Sequence, residues 1–583
     1  MSNAQEVLEV AVKNQPKRRG CLRGCLVTVL ILALPIYWFC FHTTPLRVAK
    51  ETTYVLGPMT SDGKRIDYFR AMEERYYPPE MKTDDNGYRM IVRACGANIR
   101  STACCSEEQL FDPEPFRLQI YEKLGLDPNI KPTMKIESPW HLIAQYDKEN
   151  PPAEGEATLG KKYQDWVQLF WTFDDFPMFK DWLDENTAGL DLLTEAVRKP
   201  AFYVPYVRED ENTPIFESAF RLDAMQYIRD WARALHARAQ YRLGIGDIDG
   251  VINDIVTIHH LARHAGRQGT LVSGLVGLAI EGMGVAIGIG SNPEFPPTKE
   301  QIERLVAELD ALPPRQTLSE ALESERYFGL AALQDMWWGI DIGIADVYHS
   351  ILGPLWKWTI DINIAMAKQN KVYDAMTIPG ATLDGNTLEE FIELTWNRWN
   401  PLPLLFVRSR TIRIMDTKIA LTIPALQAGS EAWRRVECIE NMQRLTLALL
   451  LYEKEHGAIP EDDWREAIRP YLGENAEKYF RCPSHGLAQG ETNYAMISGV
   501  SNPQPTPYQF LLVEVMQPQK LGEGDGRILL EEAKFSQEND GLGSHHTGGI
   551  NVGLRSGAVL FIVKNTKPEE LQSLLDGTAT KLL

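Results

Sequence analysis

The chain has no excess of positive charge. Its 583 residues include 60 Lys and Arg against 79 Asp and Glu, which gives a formal net charge of -19. Because a nucleic-acid surface needs clustered Lys and Arg to meet phosphates, this balance predicts no nucleic-acid partner. The sequence also has no glycine-rich phosphate loop, no nucleophile elbow and no HExxH motif. We therefore expect no catalytic residues, no cofactor and no metal site.

Long uncharged runs are scarce, and the clearest one follows a basic segment. Residues 24–41 (GCLVTVLILALPIYWFCF) carry no charge, and Arg18, Arg19 and Arg23 precede them. A helix of this length can cross most of a bilayer, and a basic flank stays in the cytoplasm. The sequence therefore predicts a single-pass protein of the cell membrane whose N-terminus is cytoplasmic and whose bulk is extracytoplasmic. A cleaved signal peptide is the alternative, although no small-x-small cleavage site follows the run.

A second apolar stretch covers residues 270–290 (TLVSGLVGLAIEGMGVAIGIG). Gly284 and Gly288 are spaced for close helix contact, but Glu281 lies in the middle, where burial in a bilayer is costly. The stretch is interpreted as a buried core helix, and a second membrane span remains open.

Helical periodicity dominates residues 161–397. Apolar residues recur at steps of three or four from Leu222 to Ala239. Gly244 and Gly246 then break the pattern, and Asp247 stands where its side chain can cap a following helix. The pattern predicts a helical hairpin in a mainly α-helical middle domain.

Two patterns in this hairpin resemble metal sites without completing one. His260 and His264 have i, i+4 spacing, but Leu261 stands where a zinc protease has Glu. Asp247 and Asp249 resemble the start of a calcium loop whose later ligands are missing. We interpret the histidines as packing residues and Asp247 as a helix cap.

The chain has only eight cysteines, and five of them fall in the region predicted to be exported. Disulfides are stable in such an oxidising compartment. Cys438 and Cys482 are the candidate pair, and their bridge would contribute about 3 to 4 kcal/mol. Cys95, Cys104 and Cys105 have no nearby His, which favours a structural or disulfide role over a metal site.

The region after residue 401 changes character. A helix-prone segment ends at Gly457, and short runs separated by Gly, Pro and Asn follow it. These runs predict five strands, the last two of which form a hairpin. The predicted strands are Asn493–Ile497, Tyr508–Val515, Arg527–Leu530, Gly549–Leu554 and Ala558–Val563.

Two segments of this region resemble one known family. They are Ile419 to Pro460 (IALTIPALQAGSEAWRRVECIENMQRLTLALLLYEKEHGAIP) and His546 to Ile562 (HTGGINVGLRSGAVLFI). Both are similar to the ends of bacterial prepilin-like proteins with a C-terminal His-x9-Asp-Gly motif (domain of unknown function 1559). The resemblance implies a pseudopilin head, in which a long helix lies on an antiparallel sheet. The family-motif positions here are Glu514, His546, Gly548, Gly549, Asn551, Ser556 and Gly557.

The chain also departs from that family. Ser556 replaces the signature Asp, and charges between Arg408 and Lys418 stand where an apolar pilin stem would begin. The leader that a prepilin peptidase requires is missing as well. We therefore expect a pilin-type head reused as a domain, with structural hydrogen bonding as the role of His546 and Glu514.

The predicted fold class is multidomain. It combines an N-terminal transmembrane helix, a mainly α-helical middle domain and a C-terminal α+β pseudopilin-like domain. The predicted boundaries are a cytoplasmic basic tail (1–23), a transmembrane helix (24–42), a membrane-proximal segment (43–150), the α-helical domain (151–400) and the α+β domain (401–583).

Three functional hypotheses follow from these features. The leading one is a membrane-anchored, non-catalytic scaffold or interaction protein of the bacterial cell envelope, whose partners are the membrane and envelope or secretion proteins. The second is an exported metal-dependent hydrolase that uses His545, His546 and Glu514. The third is a helical domain that binds a peptide or glycan in a groove lined by tryptophans: Trp337, Trp338 and Trp356. The sequence names no ligand and no oligomeric state.

Overall fold

The computed structural model describes residues 42–76, 79–97, 114–152, 156–166, 170–211, 213, 223–338, 360–378, 405–474, 476–499, 506–530, 533–534 and 541–579, with four isolated positions before residue 41. The chain divides into two compact units. One comprises Met1–Ala71, Pro214–Glu217 and Arg326–Pro424, and the other comprises Met72–Thr213, Ser218–Glu325 and Ala425–Leu583. The domain boundaries drawn from the sequence remain a prediction.

Helices make up most of the described chain. In chain order they are α1 (Tyr68–Tyr76), α2 (Gly87–Cys95), α3 (Glu114–Lys123), α4 (Pro139–Glu149), α5 (Leu159–Trp166), α6 (Phe179–Ala196), α7 (Asp223–Ile245), α8 (Ile248–Gly266), α9 (Leu271–Val285), α10 (Lys299–Asp310), α11 (Leu318–Trp338), α12 (Ile362–Met376), α13 (Val407–His456), α14 (Trp464–Ile468) and α15 (Pro568–Leu575). Short 3-10 turns cover Pro79–Lys82, Arg469–Tyr471 and Ala476–Phe480.

The first unit is held by polar contacts between segments distant in sequence. The Gln334 side chain accepts a hydrogen bond from the Ile66 backbone N–H at 3.0 Å and donates one to its carbonyl at 2.9 Å. Lys368 on α12 pairs with Asp416 on α13 at 2.6 Å, and Asp416 is buried. Because buried polar groups require partners, these contacts fix the packing of the segments that carry them.

In the second unit, α7 and α8 form the predicted hairpin. The turn passes through Gly246, whose φ of 77° lies in the left-handed region that glycine tolerates best. The Asp247 carboxylate then accepts a hydrogen bond from the Gly250 N–H at 3.0 Å and caps α8. The hairpin and the helix cap are therefore confirmed.

The second unit also contains a five-stranded sheet. Its strands are β1 (Glu491–Ser498), β2 (Phe510–Lys520), β3 (Arg527–Leu529), β4 (Gly549–Leu554) and β5 (Val559–Val563), in the order β3-β1-β2-β4-β5. Each of the five strands begins within two residues of the start predicted from the sequence. The β3 strand pairs with β1 in parallel, while the other neighbours are antiparallel. The sheet is thus mixed, and the prediction of an antiparallel sheet is wrong at β3.

Both faces of this sheet are covered. Tyr494, Met496 and Leu512 pack with α13 in one hydrophobic cluster. The intervening residues, such as Ala495 and Val513, belong to another cluster that includes the leucines of α15. This alternation is the period of two that strand geometry imposes, and it gives the sheet two buried faces.

The predicted fold class needs a correction at the N-terminus. In the part of the chain that the structure describes, no helix is both long enough and apolar enough to span a membrane. The described fold therefore contradicts the predicted transmembrane helix. Most of the segment chosen for it, residues 24–42, lies outside the described residues.

The apolar stretch 270–290 forms the packed helix α9. A Cβ placed on Gly277 would lie 2.8 Å from the Ala262 carbonyl oxygen and 2.9 Å from the Gly266 nitrogen, both on α8. Glu281 is 1 % exposed and is paired by neighbouring side chains, as described below. The stretch is a core helix packed closely through glycine, as its sequence indicated.

Candidate functional site

Four chemically active side chains meet between α13 and the sheet. Cys438 lies on α13, Cys482 follows the 3-10 turn Ala476–Phe480, Glu514 lies on β2 and His546 precedes β4. One ligand atom of each lies within 4.8 Å of those of the others. The residues are between 0 % and 2 % exposed. We call these four residues the Cys/Glu/His cluster.

Local structure places each side chain in this interior. On α13, Cys438 shares one face with Met442 and Leu445, at the spacing of four and three residues that makes a helix stripe. On β2, Glu514 alternates with Val513 and therefore points to the α13 side of the sheet. A carboxylate thus occupies a position at which the strand pattern calls for an apolar residue.

The four side chains contact one another directly. Cys482 Sγ lies 3.3 Å from His546 Nε2, and Cys438 Sγ lies 3.1 Å from Glu514 Oε1. His546 Nε2 is also 3.4 Å from Glu514 Oε1. No Lys or Arg in the described chain pairs with any of the four.

A second layer of polar groups surrounds the cluster. His546 Nδ1 lies 2.5 Å from Glu431 Oε1, on α13. Asn551 donates from its backbone N–H to Glu514 Oε2 at 2.6 Å and from its side chain to Cys438 Sγ at 3.3 Å. The Tyr494 hydroxyl lies 3.0 Å from the same sulfur. Cys438, Glu514 and His546 are therefore each oriented by a further residue.

Protonation in the cluster is strongly perturbed. The hydrogen bond from Cys438, supported by His546, lowers the pKa of Cys482 to about 4. Burial opposes the charged form of His546, but hydrogen bonds to Cys482 and Glu431 raise its pKa to about 10. Burial raises the pKa of Glu514 to about 7 and raises the pKa of Cys438 well above its ordinary value. The geometry therefore favours a thiolate at Cys482 beside an imidazolium at His546.

The predicted site residues lie in three places: in or beside this cluster, at the start of β4, and in the β4–β5 turn. Glu514 and His546 belong to the cluster, and Asn551 supports it. Gly557 adopts a φ of 89° in the turn, where Ser556 is buried and lies within hydrogen-bonding distance of the Ala558 N–H. Gly548 has a φ of 91° before β4, and the closeness of Ile562 O leaves no room for a Cβ at Gly549.

The cysteine pair predicted to form a disulfide is brought together, with both residues as free thiols. The bridge itself remains a prediction. Cys95 is also free and half-buried, while Cys104 and Cys105 lie outside the described residues.

The other sequence candidates lie apart from the cluster. His545 is exposed and contacts the His485 ring edge to face at 4.2 Å. His264 is buried and hydrogen-bonds the Val197 carbonyl at 2.8 Å, as expected of a packing residue. Trp337 and Trp338 contact each other at 5.3 Å, and Trp356 lies outside the described residues.

The sequence singles out all four cluster residues, with Cys438 and Cys482 as a disulfide pair and Glu514 and His546 as a polar or metal site, but it does not combine the two pairs. It also missed Glu431 and Tyr494. One signal for Glu431 was available in the sequence. Glu431 and Cys438 are seven residues apart, so on a helix they lie on the same face, two turns from each other.

Together the fold and site define a largely helical protein in which a mixed sheet and a long helix enclose a cluster of cysteine, glutamate and histidine. No protein-family model, curated protein or solved structure matches the chain. The prepilin-like resemblance therefore stays a prediction.

Proposed function

We propose that the chain is a non-catalytic scaffold or interaction protein of the bacterial cell envelope, connected with secretion or pilus-like machinery. The connection comes from the prepilin-like resemblance of its C-terminal region. Envelope or secretion proteins are the partners that this resemblance implies.

The proposal that the protein is non-catalytic is supported by the burial of the Cys/Glu/His cluster, which contains the most reactive side chains of the site. The side chains of Glu514 and His546 are 0 % exposed. A general base or nucleophile must come within about 3 Å of the atom on which it acts. Side chains enclosed by α13 and the sheet are better suited to hold the fold together than to meet a substrate.

A cavity in the second unit supports a binding role. It has a volume of about 650 Å³. Its lining carries charges of both signs, including Arg263, Arg315 and Lys478 together with Glu437 and Glu440. Guanidinium and ammonium groups on such a lining suit a partner segment that supplies carbonyl or carboxylate oxygens.

Affinity purification from cross-linked envelope fractions tests this proposal. Lys478 is exposed at the cavity, so we expect Lys478→Glu to reduce recovery of specific partners at least several-fold by quantitative mass spectrometry. Lys567→Glu, at an exposed lysine away from the cavity lining, is the matched control and should leave recovery unchanged.

Two outcomes would contradict the proposal. One is a wild-type sample that recovers no envelope or secretion component. The other is a hydrolytic activity of the full chain that disappears in His546→Ala, which would instead support the metal-dependent hydrolase.

A further inference from the structure

The Cys/Glu/His cluster contains the donor atoms of a structural zinc site. Two thiols, one imidazole and one carboxylate are all common zinc ligands, and four protein ligands make a closed tetrahedral site. Ligands held about 2.0–2.3 Å from a tetrahedral ion lie about 3.3–3.8 Å from one another. The distances between neighbouring ligand atoms in the cluster, 3.1, 3.3 and 3.4 Å, are close to that spacing.

We propose that Cys438, Cys482, Glu514 and His546 bind one divalent transition-metal ion, with zinc as the best-fitting class. The ligand atoms are Cys438 Sγ, Cys482 Sγ, Glu514 Oε1 and His546 Nε2. All four atoms lie within 4.8 Å of one another. Soft sulfur donors with imidazole select zinc over magnesium or calcium, which prefer oxygen ligands.

The surrounding contacts are those that a metal site requires. His546 presents Nε2 to the cluster while its Nδ1 contacts the Glu431 carboxylate at 2.5 Å. This is the carboxylate–histidine arrangement that orients a metal-ligating imidazole. Asn551 likewise holds Glu514 by its other oxygen and donates to Cys438. Both contacts leave the proposed ligand atoms directed into the cluster.

The composition of the cluster gives an electrostatic reason for a cation. It contains two thiols and a carboxylate, all of which are negatively charged when they ligate a metal, and none of the four side chains has a Lys or Arg partner in the described chain. Buried charges are stable when they are paired or when they coordinate a metal. On binding, the protons of the Cys438 thiol and of His546 Nε2 pass to solvent, and the divalent ion offsets most of the negative charge of the two thiolates and the carboxylate.

Such an ion would join four separate parts of the second unit. Cys482 and His546 are 64 residues apart, and Cys438 and Glu514 are 76 residues apart. The ion would therefore tie α13 and the loop after the 3-10 turn to β2 and the segment before β4. With four protein ligands it keeps no open coordination position, so its role is structural.

The first test uses the full chain purified with reductant and stripped with a chelator. Co²⁺ is then added as a spectroscopic probe, followed by Zn²⁺. We expect one Co²⁺ per chain, a thiolate-to-cobalt charge-transfer band, the strong visible absorption of tetrahedral cobalt, and displacement by Zn²⁺. Zn²⁺ at about 100 times its dissociation constant should raise Tm by about 2 to 3 °C, because the stabilisation is shared over a unit of several hundred residues.

Variants then locate the site. Cys482→Ser and His546→Ala should lose the charge-transfer band or stoichiometric binding. Glu431→Gln should weaken binding about 10- to 100-fold, because it removes the carboxylate that orients His546 without removing a ligand. The matched control is His545→Ala, since this neighbouring histidine is exposed and outside the cluster.

The wild-type spectrum decides the question even where a variant fails to fold. Absence of a tetrahedral cobalt spectrum in the folded, reduced chain would overturn the proposal. So would equal loss of binding in His545→Ala and His546→Ala. Isolation of the chain from its own compartment with a Cys438–Cys482 disulfide and no metal would also overturn it and would support the bridge.

Discussion

Two buried polar groups of the second unit contrast with each other. In the Cys/Glu/His cluster, no Lys or Arg of the described chain pairs with the four side chains. The other group consists of His259, Arg263, Glu281 and Glu440, and we call it the Arg/Glu/His cluster. There, Glu281 lies 2.5 Å from His259 Nδ1 and 3.3 Å from Arg263, which also contacts Glu440 at 2.8 Å.

The difference lies in the source of positive charge. Burial opposes ionisation of Glu281, but His259 and Arg263 hold its pKa well below the ordinary value. Burial instead raises the pKa of Glu514 to about 7, although His546 is beside it. The Arg263 guanidinium supplies the positive charge that keeps a buried carboxylate ionised. The Cys/Glu/His cluster has no arginine partner in the described chain, so a cation from solution can supply that charge.

The sharpest test of this contrast removes one carboxylate from each cluster in metal-free protein. Glu281→Gln should lower the free energy of unfolding by about 3 to 5 kcal/mol, because Arg263 loses a buried partner. Glu514→Gln should change it by about 1 kcal/mol or less, because the amide removes negative charge from a group without an arginine. Urea unfolding followed by circular dichroism measures both values.

Glu440→Gln is the control for the first substitution. Its side chain is 26 % exposed, so water can replace part of the lost interaction and the cost should be smaller. Equal losses for Glu281→Gln and Glu514→Gln would remove the distinction between the clusters.

A second test uses acid, which should weaken the helical part of the second unit. Burial lowers the pKa of His236 and of His264 to about 4. The ordinary value is about 6.5, so the unfolded chain binds more protons as the pH falls from about 6.5 to about 4. Stability should therefore be lost through that window, by roughly 3 kcal/mol at most for each histidine.

The variant His264→Gln isolates one of these contributions. Glutamine does not titrate, yet its amide can still donate to the Val197 carbonyl that His264 contacts. The slope of unfolding free energy against pH between pH 6.5 and pH 4 should decrease. His456→Gln, at an exposed histidine, should leave the slope unchanged. A slope identical in His264→Gln and wild type would contradict the assignment.

The sequence predicted local structure better than long-range contacts. Short runs of residues bounded by Gly, Pro and Asn predict β1 and β2, and Asp247 predicts a helix cap; the structure has both. The direction of β3 depends on pairing between Met496 and Arg527, which no local pattern encodes. The transmembrane prediction rests on an uncharged run and its basic flank, and no described helix matches it.

The candidate site escaped prediction for the same physical reason. The sequence marks Cys438 as a disulfide partner, and His546 as a motif position and a candidate hydrolase residue. Their shared environment arises only when α13 packs on the sheet, because Cys438 on α13 and Glu514 on β2 are 76 residues apart. Packing of the helix on the sheet, and not residue spacing, creates the set of four donor atoms.

The smallest expected effects concern the approach of α9 to α8, which brings Glu281 to His259. A Cβ at Gly277 would collide with the backbone of α8, whereas a Cβ at Gly282 would meet nothing within 4 Å. Gly277→Ala should therefore cost about 1 to 3 kcal/mol, and Gly282→Ala should stabilise the helix by up to about 1 kcal/mol. Because α9 contributes no ligand to the Cys/Glu/His cluster, cobalt binding should be the same in both variants. A cobalt affinity that falls with Gly277→Ala alone would show that the two clusters depend on each other.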